Sequence, residues 1–172
     1  MSKRFLIITA ALVLSGFFVY AAVRRKREKP EPNEAIDNNP NNWTMTNPNG
    51  IPGTKNFKLS EFDCHDGTKV PTAYYGNVQQ LMNNLQVLRD YLGKPIYVNS
   101  GYRSPAWNKE VGGVGGSMHL RAMAADIRVP GYSPGQVKAA ILHLISAGSM
   151  QDGGIGLYPT FVHYDVGSAR RW

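Results

Sequence analysis

The sequence predicts an α+β domain: a mainly antiparallel sheet with flanking helices. Two short apolar segments, Gly153 to Tyr158 and Phe161 to Val166, meet around Pro159-Thr160 and read as a hairpin. Upstream, strands and helices do not alternate in the regular way that a parallel α/β sheet requires. Two stretches with helical spacing of apolar residues supply the flanking layer.

The 172 residues leave room for one domain and an appendage, and 42% hydrophobic residues suffice for a core. The net charge of +7 is unevenly placed. Residues 1–30 hold seven of the nineteen Lys and Arg but only one of the twelve acids, so the remainder is close to neutral. Nucleic-acid binding needs Lys and Arg clustered on the folded part, and is excluded as a reading. The single cysteine, Cys64, forbids an internal disulfide and a Cys-rich zinc site, and reads as a small buried thiol.

In chain order, residues 1–28 form a membrane anchor with basic flanks. Phe5 to Val23 is an uncharged nineteen-residue run, long enough to cross ~30 Å of hydrocarbon as a helix. A cleaved signal peptide competes, with Val19-Tyr20-Ala21 as its small-residue site. The length of the run and Arg24-Arg25-Lys26-Arg27 behind it favour an uncleaved anchor. Orientation stays open: the basic excess after the span places the domain in the cytoplasm, whereas the substrate argued below lies outside. Residues 29–56 are rich in Pro, Asn and Gly and form a tether.

The domain spans 57–172. Leu59-Ser60-Glu61-Phe62 predicts a short helical turn capped by Ser60, and Cys64-His65-Asp66-Gly67 a turn with a solvent-exposed histidine. Asn77 to Leu92 is an amphipathic helix: Val78, Leu81, Met82, Leu85, Leu88 and Leu92 share one face. Gln79, Gln80, Asn83, Asn84 and Gln86 take the other, and Gly93 and Pro95 end it. Ile96 to Asn99 is a strand, and Val111 to Gly116 a flexible glycine segment without the Lys-Ser/Thr frame of a phosphate loop. Ala124 to Val129 is a strand carrying Asp126. Ser133-Pro134-Gly135-Gln136 caps a second helix that runs to about Ala147, with His143 off its buried stripe.

Chemistry concentrates in Ser117-Met118-His119…Asp126 and in Phe161-Val162-His163-Tyr164-Asp165. Two imidazoles and one carboxylate are a three-ligand set for zinc, with the fourth position left to water, as in hydrolases and unlike closed structural sites. Period-two alternation puts His163 and Asp165 on one strand face. Asp165 there either orients the histidine or acts as general base. Arg103, in Gly101-Tyr102-Arg103-Ser104, supplies a cation for a substrate carboxylate or a developing oxyanion.

These motifs, together with Phe57-x-Leu59-Ser60-Glu61-Phe62 and Gly154-Ile155-Gly156, resemble the D-alanyl-D-alanine carboxypeptidase type of zinc peptidase. That group shares its fold with the hedgehog signalling domain and the vancomycin-resistance dipeptidases, and has a small branch in bacterial and phage envelopes. The likeness covers roughly 57–172. By position it implies that His119, Asp126 and His163 bind zinc, that Arg103 holds or polarises the substrate, and that Ser117 supports the site. It implies cleavage of peptidoglycan stem peptides or cross-links, by carboxypeptidase or endopeptidase action, in cell-wall remodelling or in phage lysis or entry, with the domain facing the wall. Two departures stand out. Ala122 replaces the usual Gly, a change without consequence if the backbone there keeps negative φ. Thr160 replaces the acid found three residues before the last ligand in many members, which leaves Asp165 as the favoured base, with a more distant acid such as Asp152 as the alternative. Without a working base, the alternative is a non-catalytic, zinc-retaining wall-binding or virion-associated module.

Overall fold

A computed structural model describes residues 50–172. The apolar run at 5–23, its basic flanks and the tether up to residue 49 lie outside the described residues. Five strands form one sheet: β1 (Tyr97–Ser100), β2 (Ala124–Arg128), β3 (Gly154–Leu157), β4 (Val162–Asp165) and β5 (Arg170–Arg171). Their spatial order is β1-β2-β4-β3-β5, antiparallel throughout except that β5 runs parallel to β3. The expected α+β class holds and the sheet is mainly antiparallel as expected, β5 making it mixed. A two-residue strand such as β5 has no hydrophobic period to announce it.

Helices α1 (Tyr75–Leu92) and α3 (Pro134–Ser146) pack against the sheet, and α2 (Pro105–Glu110) is a short helix beside the glycine segment. Helix α1 stops where Gly93 turns left-handed, at φ +62°. Helix α3 starts on a reciprocal cap: the Ser133 hydroxyl accepts from the Gln136 amide, and the Gln136 side chain accepts from the Ser133 N–H. Leu81, Leu85 and Leu88 of α1 and Val137 and Ile141 of α3 are buried with Ala125, Ile127, Ile155, Val162 and Tyr164 of the sheet. Each such aliphatic side chain contributes roughly 1.5–3 kcal/mol by leaving water.

Alternation along the strands then assigns the opposite sheet face. Asp126 pairs with His163, and Ala124 with Asp165, across β2 and β4. All four alternate with the core residues, so they lie on the face turned away from the core. On β3 the same face carries Gly154 and Gly156, opposite Asp165 and His163. A Cβ at Gly154 would meet the Asp165 carboxylate, and one at Gly156 the Trp172 indole. The glycine pair leaves room for the groups that work there.

The structure corrects two sequence expectations. Ser60 lies inside the 3₁₀ turn Leu59–Phe62. The cap is made by the Glu61 carboxylate, which accepts from the Lys58 N–H at 2.8 Å. Nor is the polar face of α1 simply solvated, because Gln79 and Asn84 are buried. The Gln79 amide exchanges two hydrogen bonds with the Gly53 backbone, at 2.9 and 3.0 Å. Gln86 accepts from the Thr54 hydroxyl and the Asn56 N–H. Asn84 accepts from Gln151 N at 2.7 Å, ahead of β3. Periodicity identifies a polar stripe but not whether its partner is water or backbone, and here residues 53–56 are fixed to the domain.

Gly101 follows β1 at a crossing of two chain segments. A Cβ there would lie 2.6–2.7 Å from the backbone of Phe62, whose carbonyl accepts from Tyr102 N at 2.8 Å. Gly101→Ala must push this crossing apart. We expect a loss of about 1–3 kcal/mol, read as a lower midpoint in thermal or urea unfolding, with Gly76→Ala (open space around its Cα) as the unperturbed control.

Candidate metal centre

Each donor reaches the site by a different local device. Ser117 caps the 3₁₀ turn Met118–Arg121, its hydroxyl accepting from His119 N, so the serine shapes the turn that aims His119. The turn closes at Ala122 in the left-handed region, at φ +53°, the one such non-glycine among the described residues. The backbone therefore does adopt positive φ where Ala replaces Gly, so the condition under which that change has no consequence is not met. Asp126 and His163 arrive as facing partners on β2 and β4.

The three side chains are buried and converge. Asp126 Oδ1 lies 2.9 Å from His163 Nδ1 and 3.3 Å from His119 Nε2, and the two ring nitrogens are 3.2 Å apart. Partners on the outer side of each ring fix where the protons are. The Gly101 carbonyl, 2.6 Å from His119 Nδ1, can only accept, so that nitrogen carries the hydrogen and Nε2 presents its lone pair inward. Asp165 Oδ2 takes the N–H of His163 Nε2 at 3.0 Å, leaving Nδ1 as the inward lone pair.

Two lone pairs and a carboxylate oxygen thus face one another with no donor between them, an arrangement that repels unless a cation sits at the centre. Zinc bound at ~2.0–2.1 Å to tetrahedral N and O donors separates neighbouring donors by about 3.3 Å. The observed 2.9, 3.2 and 3.3 Å fit that spacing. The donor set and its geometry suit zinc.

Arg103 braces the carboxylate. Its Nη2 donates to Asp126 Oδ2 at 2.7 Å and its Nε to the Ser100 hydroxyl at 3.0 Å, while the side chain lines the cleft. Without a cation, a proton taken up on an inward ring nitrogen turns toward Asp126. Burial pushes the Asp126 carboxyl up, but the hydrogen bonds and charge of His119 and His163 in that protonated state outweigh it and hold it well below the usual carboxylate range. Burial pushes His163 down, and the stabilisation of its protonated ring by Asp126 and Asp165 more than reverses this, so its basicity is raised.

Asp165 is fully buried behind His163. Oδ2 receives His163 Nε2 and Arg170 Nη2 (2.6 Å), and Oδ1 receives the backbone N–H of Gly167 and Gly154. It faces the outer ring nitrogen, not the one that meets Asp126 and His119. Of the two roles the sequence left open for Asp165, this placement suits orienting the ring. Thr160 is exposed in the hairpin turn and Asp152 is exposed and paired with Arg171. His65 stacks on Trp107 and His143 packs on Tyr91, both exposed and apart from the donor cluster.

A cleft of roughly 860 Å³ opens over the donors. One wall holds three side chains that sequence reasoning missed: Tyr158, Arg170 and Trp172. The Trp172 ring lies 5.2 Å from the His163 ring and its Nε1 donates to the Tyr158 hydroxyl at 3.0 Å. Its backbone bonds to Ile155 and Leu157 continue the β3–β5 pairing. The available signal was the run Arg170-Arg171-Trp172 following His163-x-Asp165, without any period to give it a direction.

A sheet face that gathers His, Asp and His around one cation position, beneath an open cleft, defines a mononuclear metallohydrolase type of centre. The chain belongs to the peptidase M15 family, whose profile matches residues 55–165. It is 37% identical over 101 residues to the peptidoglycan L,D-endopeptidase MepK of Escherichia coli K12, covering 54% of this chain and 52% of that one. The probable peptidoglycan L,D-endopeptidase MepK of Haemophilus influenzae is 35% identical over 103 residues, covering 56% and 52%. The zinc D-Ala-D-Ala carboxypeptidase of Streptomyces albus G is 40% identical over 78 residues, covering 42% and 31%. The matched region thus spans about half the length of the MepK relatives.

Asp165→Asn keeps the shape and removes the charge that holds His163, so zinc affinity should fall about 10–100-fold, measured by competition with a chromophoric chelator; an unchanged affinity would count against the orienting role. Zinc affinity should also weaken as pH falls through the raised pKa of His163, because the ligand nitrogen must be unprotonated. Asp126, with its lowered pKa, stays ionised over that range. For Ala122→Gly, relief of left-handed strain of about 1–2 kcal/mol is opposed by greater chain entropy, about 0.5–1 kcal/mol, and by a lost buried methyl of about 0.8 kcal/mol. Unfolding should therefore place it near neutral, with Ala122→Val strongly destabilised.

Proposed function

We propose that the chain is a zinc-dependent peptidase that cleaves peptidoglycan stem peptides or their cross-links. The observation that carries this reading is the inward convergence of His119 Nε2, Asp126 Oδ1 and His163 Nδ1 at zinc-like spacing beneath an open cleft. Membership of the M15 family and relatives named as peptidoglycan L,D-endopeptidase and zinc D-Ala-D-Ala carboxypeptidase support it.

Zinc held by these residues would supply Lewis acidity toward a peptide carbonyl and lower the pKa of water. The chain's own groups prepare that chemistry. Gly101 O and Asp165 Oδ2 keep the ring protons on the outer nitrogens, so both histidines stay in the ligating tautomer. Arg103 fixes Asp126 through Nη2, and the rest of its guanidinium, on the cleft wall, stabilises negative charge developing on a substrate carbonyl oxygen. Trp172 and Tyr158 form the aromatic side of the cleft, against which a peptide is held away from water.

The run Phe5–Val23 would anchor the protein in a membrane with the domain facing the cell wall. Its length without charge supports the anchor, and a substrate in the wall supports the outward-facing domain, against the basic run 24–27, which argues for the opposite orientation.

A second reading has its own observation. Among the described residues lining the cleft, Asp126 is the sole carboxylate, and it is a metal donor braced by Arg103. A wall-binding module that retains zinc without turnover accounts for this as well.

Mass spectrometry of purified muropeptides, incubated with the full-length protein and zinc, separates the two. The peptidase reading expects cleaved products, and Arg103→Ala, assayed at saturating zinc because the brace on Asp126 is lost with it, should lower kcat by about 10²–10³-fold. Zinc bound at one equivalent with every muropeptide intact would leave the binding module.

A further inference from the structure

We infer that a second cavity, across the glycine loop from the metal donors, is a subsite for a carboxylate-bearing peptide branch of the same substrate; this rests on the peptidoglycan reading above. The cavity measures roughly 830 Å³, nearly the size of the cleft over the donors. The two share Gly112, Gly113, Gly116 and Ser117 as lining, so residues 111–116 form a ridge between them. Four of those six residues are glycine, and such a ridge stands little higher than its backbone.

The ridge is tied down. Asn108, buried in α2, accepts from Gly113 N at 2.7 Å through its backbone carbonyl and donates from Nδ2 to the Val114 carbonyl at 3.1 Å. A Cβ at Gly113 would collide with the Asn108 amide, so glycine is required at this crossing. A branched ligand would straddle a fixed backbone ridge, one arm over the metal donors and the other in the second cavity.

Charge and polarity on the far side specify that arm. Lys109 and Arg121 line the cavity, both exposed, and neither makes an ion pair among the described residues. No Asp or Glu lines it. Tyr74, Tyr102 and Leu120 give an apolar wall beside the two cations. This combination suits a short peptide with small aliphatic side chains and a free carboxylate, rather than a cation or a neutral sugar. Cross-linked peptidoglycan carries such a second strand, while a single-strand stem peptide ends within the first cleft.

The test is equilibrium binding by titration calorimetry, with the full-length protein in detergent and zinc removed by chelation, so that no bond is cut. A cross-linked muropeptide dimer should bind about tenfold tighter than the corresponding single-strand muropeptide. Lys109→Gln combined with Arg121→Gln should erase that difference. Lys58→Gln combined with Lys94→Gln, the same charge change at exposed sites outside both cavities, should preserve it. Circular dichroism confirms that each variant is folded. Equal affinities in the parent protein, no binding of either ligand, or a difference that survives the Lys109/Arg121 change would overturn the inference. Cleavage with zinc restored is scored separately: its absence removes the peptidase reading while the affinity contrast still decides the subsite.

Discussion

The rest of the domain depends on one unfavourable contact. Two imidazole lone pairs and a carboxylate oxygen are held about 3 Å apart, out of water, with their protons turned outward. Left alone, such donors would separate or take up a proton. Here the antiparallel register of β2 and β4 sets Asp126 opposite His163, and a capped 3₁₀ turn brings His119 onto the same centre. Gly101 O, Asp165 and Arg103 then each occupy an atom that could otherwise relieve the strain. The energy of folding is thereby used to keep a cation position prepared.

That preparation explains the division of the sheet. One face buries Ile127, Ile155, Val162 and Tyr164 against the helices, which makes the strands rigid supports. The other face places Asp126, His163 and Asp165 beneath the cleft, and glycines on β3 leave space for the carboxylate and for the Trp172 indole. Because period-two alternation separates the faces, a one-residue slip of β4 would move the metal donors into the core and the core residues into the cleft. Fold and site share the same register.

Much of this was legible in the sequence, for identifiable reasons. His119, Asp126 and His163 could be picked out because the donor types are chemically restrictive, and the strand period already put His163 and Asp165 on one face. The period does not say which ring nitrogen a neighbour meets, so it left Asp165 open between orienting the ring and acting as base; its oxygens are engaged behind the ring. The change at Ala122 could be judged only on a condition, because a residue name does not carry φ. Helical spacing puts Gln79 and Asn84 on the polar face without revealing what covers it. Arg170 and Trp172 escaped notice because a two-residue parallel strand leaves no pattern, although its pairing with β3 forms one wall of the cleft.

If the side chains at 119, 126 and 163 share a single ion, X-ray absorption spectroscopy of the full-length protein loaded with one equivalent of zinc will reveal it. The expected spectrum has nitrogen and oxygen neighbours only, at about 2.0–2.1 Å, with an imidazole scattering contribution that is halved in His163→Ala. A spectrum with sulfur ligation, or one that His163→Ala leaves unchanged, would contradict it.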